Sequence, residues 1–241
     1  MSEKFDEYWN MRHSESEHSG YLIDNPLIGS QRLRYESSVV ERLLKNTDLI
    51  GKDVLDLACG NGFISTIFAK AGANVTACDL SHSVIEQNRL SKQQQNIAWI
   101  VSDAINFIKG NQKTYDLIYV GGLAPYLDDV EFMELVEFLT RQSEVGAKII
   151  WREIFSYNKD HNRKFTDSDG IARAITDFSE ANFKLSQYNY GYLFQPVSLK
   201  LRSDYIHKRI FFLTIASVLL RLYRKIFRSG KNHRNCGFFI L

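Results

Sequence analysis

The chain has 241 residues, 44% hydrophobic and 24% charged, the make-up of an ordinary globular protein long enough for one large packed domain; a disordered or fibrous chain is excluded. Three cysteines, odd in number and without metal-ligand spacing, make neither a disulfide framework nor a metal centre, and point to a reducing cytoplasm. The net charge of +2 is unevenly spread: from Lys200 onward ten Lys/Arg less one acid give +9, which leaves −7 for residues 1–199, so the basic tail suggests an anionic partner.

The opening MSEKFDEYWNMRHSESEHSG is polar and charged and does not read as a signal peptide. Residues 1–29 read as irregular, with a short helix around Phe5 to Met11. Tyr35, Val39, Val40, Leu43 and Leu44 then mark one face of a helix. From there strands and helices alternate. Strands are expected at 53–58 (DVLDLA), 74–79 (NVTACD), 97–101 (IAWIV), 115–121 (YDLIYVG) and 147–153 (AKIIWRE). Helices are expected between them at 63–71, 83–92, 103–109 and 129–142. Ser83 with Glu86, and Asp128 with Glu131, are spaced as capping boxes. A helix over about 168–182, a long strand near 183–194 and a last strand in the terminal CGFFIL complete the order. Such alternation means βαβ units and a parallel sheet covered on both faces. The expected fold is α/β, a Rossmann-like doubly wound sheet of seven strands, mostly parallel with a late antiparallel strand. It forms one domain: a lid region at 1–29, a core at 30–194, a basic apolar insert at 195–234 and the last strand at 235–241.

Within this order VLDLACGNGFIS (Val54 to Ser65) reads as strand, tight glycine turn, helix. In open α/β sheets ligands sit beyond the carboxyl ends of the strands, where the next helix offers unpaired N–H groups. Gly60 and Gly62 lack Cβ atoms, so a ligand could press on the backbone. The dinucleotide pattern G-x-G-x-x-G is filled imperfectly by Gly60, Gly62 and Ser65. Asp56 stands at the strand end, where a carboxylate suits an ammonium-bearing ligand and not a diphosphate.

DLACGNG resembles the D-x-G-x-G-x-G signature of the class I S-adenosylmethionine-dependent methyltransferases, in its D-x-A-C-G-x-G form, with Ala58 replacing the first glycine. The similarity runs from about Val54 to Glu153, with a weaker match at FSEANFKLSQY. It implies S-adenosylmethionine as cofactor, with contacts from Asp56, Ala58, Gly60, Gly62, Asp79, Leu80, Asp103, Ala104 and Gly121. Asp79 would accept hydrogen bonds from both ribose hydroxyls, as an acceptor-only carboxylate can, or cap the following helix. Asp103 would accept the adenine amino group, cap the next helix, or do both. Leu80 and Ala104 would flank the adenine ring. GGLAPYL, after the fourth strand, would line the methionine part, with Gly121 and Gly122 allowing close backbone approach. Tyr126 would touch the acceptor or pack on the helix at 129–142.

The resemblance further implies in-line methyl transfer to a small-molecule or lipid-linked acceptor, with oxygen favoured over nitrogen or carbon. For a hydroxyl acceptor the candidate base is His161, on the rim beyond the fifth strand, with Glu153 second; a surface role is the plainer reading of each. FDEYWNMRH is a candidate lid in which Tyr8 and Trp9 offer aromatic faces near a cation. No N/D-P-P-Y/F motif follows the fourth strand, against adenine or glutamine amide acceptors. No Pro-Cys nucleophile is present, against cytosine C5. No acid stands at Gly121 or Gly122, against the magnesium-dependent catechol type.

IFFLTIASVLL (Ile210 to Leu220) is shorter than the roughly 20 residues of a membrane span. Lys208, Arg209, Arg221, Arg224, Lys225 and Arg228 bound it. Residues 205–228 read as a helix pair covering the acceptor pocket, or as a helix lying in an anionic membrane surface. Nucleic acid is the weakest partner, because the basic residues interleave with aliphatic ones. The expected location is the cytoplasm, with peripheral contact to the inner face of a membrane. Two rivals stand beside the enzyme: a non-catalytic S-adenosylmethionine-binding or membrane-docking module, and a nucleotide-dependent oxidoreductase.

Overall fold

The computed structural model describes residues 26–92, 94–156, 163–164, 171–180, 182–187 and 235–241, together with Phe5, Tyr8, Trp9 and Met11. In chain order the elements are α1 (Pro26–Leu44), β1 (Asp53–Leu57), α2 (Phe63–Lys70), β2 (Asn74–Asp79), α3 (His82–Ser91), β3 (Ile97–Val101), α4 (Ala104–Gly110) and β4 (Leu117–Gly121). A 3₁₀ turn (Ala124–Tyr126), α5 (Asp129–Glu144), β5 (Lys148–Ser156), β6 (Arg163–Lys164), β7 (Ile171–Ala174), α6 (Ile175–Glu180), β8 (Lys184–Gln187) and β9 (Asn235–Ile240) follow.

The first five strands are parallel in the order β3-β2-β1-β4-β5. The winding therefore reverses between β1 and β4, and the crevice at that switch point is where ligands bind in open α/β sheets. β9 runs antiparallel to β5, with Trp151 opposite Phe239, and β8 runs antiparallel to β9.

Strand residues alternate between two cores, as the two-residue repeat of a pleated sheet requires. Val54, Ala77, Trp99, Tyr119 and Ile150 face α1, α2 and α3, which contribute Val40, Phe68 and Ile85. Leu55, Leu57, Cys78, Val120 and Trp151 face the opposite cluster, with Ile105 of α4 and Leu135 and Leu139 of α5. Helices thus cover both faces, as the alternation implied. At the far side of β5, Trp151 meets Phe132, Phe178 and Phe183 edge-on or tilted, with ring centroids 5.2 to 5.7 Å apart.

The Asp128–Glu131 capping box forms: Glu131 N–H donates to Asp128 Oδ1 at 2.8 Å and Asp128 N–H donates to Glu131 Oε2 at 3.1 Å. The expected Ser83–Glu86 box does not. α3 starts a residue earlier, capped by Ser81, whose Oγ accepts from Val84 N at 3.4 Å. Glu86 pairs instead with Arg89.

The helix expected over about 168–182 is shorter. Ile171–Ala174 is a strand, because β5 runs past the end of β4 and leaves an edge on which Phe155 pairs with Arg173. With its two-residue neighbour β6, this strand brings the sheet to nine strands among the described residues, against the seven expected. α1 begins at Pro26, ahead of the boundary expected at residue 30; proline at a first helical position has no N–H to leave unbonded. Residues 205–228 and 188–194 lie outside the described residues. Among the described residues no helix is long and apolar enough to cross a membrane.

Candidate functional site

β1 ends at Leu57, and the chain turns through Ala58, Gly60 and Gly62, all left-handed, with φ of 58°, 51° and 66°. The turn is held from outside. Gly60 N–H donates to Asp79 Oδ2 at 2.8 Å, and Gly60 C=O accepts from Asn88 Nδ2 at 2.8 Å. Asp79 uses its other oxygen, Oδ1, to accept from Ser81 N–H at 2.9 Å, so one carboxylate ties the turn to the start of α3.

The two glycines serve different ends. A Cβ on Gly62 would lie 2.3 Å from the indole of Trp99, so the missing side chain there makes room for a core residue. Gly60 keeps the left-handed geometry that glycine adopts without cost. Ala58 takes the same geometry with a Cβ attached.

Asp56 lies beneath the turn and is completely buried. Its Oδ2 accepts from Ser65 Oγ of α2 at 2.5 Å, while Oδ1 is buried with no hydrogen-bond partner among the described residues. Burial pushes the Asp56 carboxyl up to about 7, and the nearby Asp79 charge adds to the rise. Burial likewise pushes up the thiols of Cys59 and Cys78, and Asp79 again adds to both. Cys78 feels Asp103 and Asp56 as well, so the carboxyl ends of β1, β2 and β3 bring three acids into one neighbourhood.

Asp103 caps α4: its Oδ1 accepts from Ile105 N–H at 2.9 Å and Asn106 N–H at 3.0 Å, which leaves Oδ2 outside the cap. Ala104 is buried beside it and Leu80 is half-buried. Gly121 ends β4, where a Cβ would stand 3.3 Å from both Ala58 O and the Tyr119 ring.

Beyond β4 the chain is fastened to β5. Gly122 N–H donates to Arg152 O at 2.9 Å, and a Cβ on Gly122 would lie 2.8 Å from Arg152 Nη1. That guanidinium pairs with Glu36 of α1 at 2.9 Å, both side chains buried. Glu153 is completely buried. Its Oε2 accepts from Ala124 N–H at 2.8 Å and Trp151 Nε1–H at 3.2 Å. It anchors the 3₁₀ turn and does not present a base to an acceptor, which corrects that expectation. Tyr126 is buried, with Phe5 and Trp9 edge-on to it at 5.2 and 5.3 Å. The N-terminal aromatics therefore reach the segment after β4. His161 lies outside the described residues. No group of three or more His, Cys, Asp or Glu side chains among the described residues could hold a metal ion.

Asn88 and Trp99 escaped the sequence reading. Asn88 carries a visible signal, a polar residue one turn beyond Val84 and Ile85 on the buried face of α3. Trp99 reads there only as an inward position of β3.

Residues 54–142 match the model of a family described as a methyltransferase domain. The chain is 31% identical over 167 residues to phosphoethanolamine N-methyltransferase 1 of Zea mays, covering 66% of this chain and 31% of that one. It is 31% identical over 135 residues to a ubiquinone biosynthesis O-methyltransferase of Coxiella burnetii, covering 55% of this chain and 51% of that one. The chain thus spans about a third to a half of the length of these two relatives. Among solved structures, a DhpI complex with S-adenosylhomocysteine superposes with a TM-score of 0.56 at 19% identity, covering 77% of this chain and 90% of that one. That likeness is one of fold. The family match falls on the β1–α5 segment that carries the glycine turn, and over that segment the chain is similar to the class I S-adenosylmethionine-dependent methyltransferases.

Proposed function

We propose that this protein binds S-adenosylmethionine at the Ala58–Gly62 turn and transfers its methyl group to a hydroxyl oxygen of a small-molecule or lipid-linked acceptor. The observation that carries this reading is the convergence of Asp56, Asp79 and Asp103 at the carboxyl ends of three adjacent parallel strands. A cofactor that is positive at sulfur and nitrogen suits this cluster of acids and would draw the Asp56 proton off, and the diphosphate of a dinucleotide does not suit it. The buried Oδ1 of Asp56 is an acceptor awaiting a donor.

Each Asp79 oxygen accepts one backbone N–H and keeps capacity for a second donor, which suits a ribose diol. Asp103 Oδ2, outside the helix cap, suits the adenine amino group, with Leu80 and Ala104 beside the ring. The bound cofactor supplies an electrophilic methyl group. The chain supplies alignment: Glu153 and Arg152 fix the segment from Gly121 to Tyr126, on which the acceptor would rest. Such proximity can lower a barrier by roughly 7–11 kcal/mol. Phe5 and Trp9 against Tyr126 would exclude water from that side. His161 is the base we assign to the acceptor hydroxyl.

The curated relatives include an O-methyltransferase and an N-methyltransferase by name, so acceptor atoms of both kinds belong in the test. S-adenosylmethionine labelled in its methyl group is offered with hydroxylated aromatic quinone precursors and, separately, with phosphoethanolamine. Label on the hydroxyl compound is the expected result. Label on the amine alone overturns the oxygen assignment, and cofactor binding without transfer to either favours the non-catalytic module. We place the protein in the cytoplasm, with residues 205–228 against an anionic membrane face. Equal sedimentation with neutral, anionic and no liposomes would remove that placement.

A further inference from the structure

The turn, with three left-handed residues in five, closes on the bond from Gly62 N–H to Cys59 O at 2.9 Å, and the two peptides flanking the Gly60 Cα are gripped from outside it. Asp79 grips the Gly60 N–H from β2. The next peptide unit, which carries the Gly60 carbonyl, is gripped by Asn88, which lies 28 residues on and is 2% exposed. Asn88 Nδ2 also stands 3.1 Å from where a Gly62 Cβ would be, beside the Trp99 ring that fills that space. Its neighbour Arg89 donates from Nη2 to Trp99 O at 2.6 Å, fastening α3 to β3 behind the turn.

We propose that Asn88 is a positioning residue for the cofactor: its amide holds the Gly60 carbonyl in the orientation that shapes the nucleoside seat. This rests on the S-adenosylmethionine reading above. Without the amide, the part-buried Gly60 carbonyl keeps only the weak Cys59 Sγ donor at 3.8 Å, and the Gly60–Asn61 peptide gains a reason to rotate. The two gripped peptides meet at the Gly60 Cα, so a turn of one shifts the Gly60 backbone against the N–H that Asp79 holds, and disturbs the carboxylate assigned to the ribose. Asn88 need not touch the cofactor to govern its affinity.

Asn96 provides the control. It too is a side-chain amide bonded to backbone carbonyls, those of Ala69 at 2.9 Å and Ala73 at 2.7 Å, but at the other end of α2 from the turn. S-adenosylhomocysteine affinity is measured by isothermal titration, and melting temperature by circular dichroism, for wild type, Asn88→Ala, Asn88→Asp and Asn96→Ala. Loss of affinity by at least tenfold in both Asn88 variants is expected, with Asn96→Ala lowering the melting temperature and leaving affinity within twofold. Asn88→Asp keeps the shape and removes the donor, so it decides the matter should Asn88→Ala fail to fold; Asn88→Gln, which keeps the donor on a longer arm, serves as a third variant expected to retain part of the affinity. Folded Asn88 variants that bind within twofold of wild type overturn the proposal, as does an Asn96→Ala loss equal to that of Asn88→Ala. A wild type that does not bind S-adenosylhomocysteine overturns the cofactor reading itself, and the two failures are thereby told apart.

Discussion

Ala58 holds a left-handed backbone, φ 58°, that costs an L-residue with a Cβ about 1–2 kcal/mol. Ala58→Gly should therefore stabilise the fold by up to about 1 kcal/mol, after allowing for glycine's greater freedom when unfolded; a lower urea midpoint would contradict this. Gly62→Ala should do the reverse. It meets both the positive φ and the Trp99 ring, and overpacking alone costs about 1–3 kcal/mol. Asp56 gives a pH signature. Its carboxyl sits near 7 in the fold against 3.8 in a model compound, so the native state holds a proton that the unfolded chain gives up. Its contribution to stability is fully present below about 4, declines as pH rises, and is lost above about 7. Urea titrations of wild type and Asp56→Asn at pH 5 and pH 7.5 should show the variant gaining relative stability at the higher pH. An unchanged difference would mean that Asp56 ionises in the fold as it does in water. The sequence made Asp56, Asp79 and Asp103 legible, because an acid at a strand end is a local pattern. It could not show that Gly62 makes room for Trp99, because that contact joins residues 37 positions apart.

At the scale of elements, α1 is joined to the sheet by two polar ties. Lys148 Nζ donates to Leu43 O at 2.6 Å, a lysine on the last carbonyls of a helix. Glu36 pairs with Arg152 in the interior. Removing one partner of a buried pair leaves a charge uncompensated and costs about 3–5 kcal/mol. Glu36→Gln should lose stability on that scale, and Glu36→Leu with Arg152→Met should lose much less. A double variant as unstable as the single would show that the pair itself matters. β1 to β5 and α2 to α5 were legible within two or three residues at each end, since period-two and period-3.6 patterns repeat in turn along that stretch. β7 was not: Ile171–Ala174 is a strand only because β5 outruns β4, and a distant open edge leaves no mark on the local sequence.

For the whole molecule, strand order and a double layer of helices place three acids and one left-handed turn at the point where the winding of the sheet reverses. The acceptor was less legible. The residues we assign to its side, Tyr126, Phe5 and Trp9, come from distant parts of the chain. The most direct measurement is a crystal structure grown with S-adenosylhomocysteine. Ribose hydroxyls within hydrogen-bond distance of Asp79, the adenine amino group at Asp103 and the amino-acid end over the Ala58–Gly62 turn are the expected result. A nucleoside bound elsewhere, or a turn that stays closed to it at saturating concentration, would contradict it.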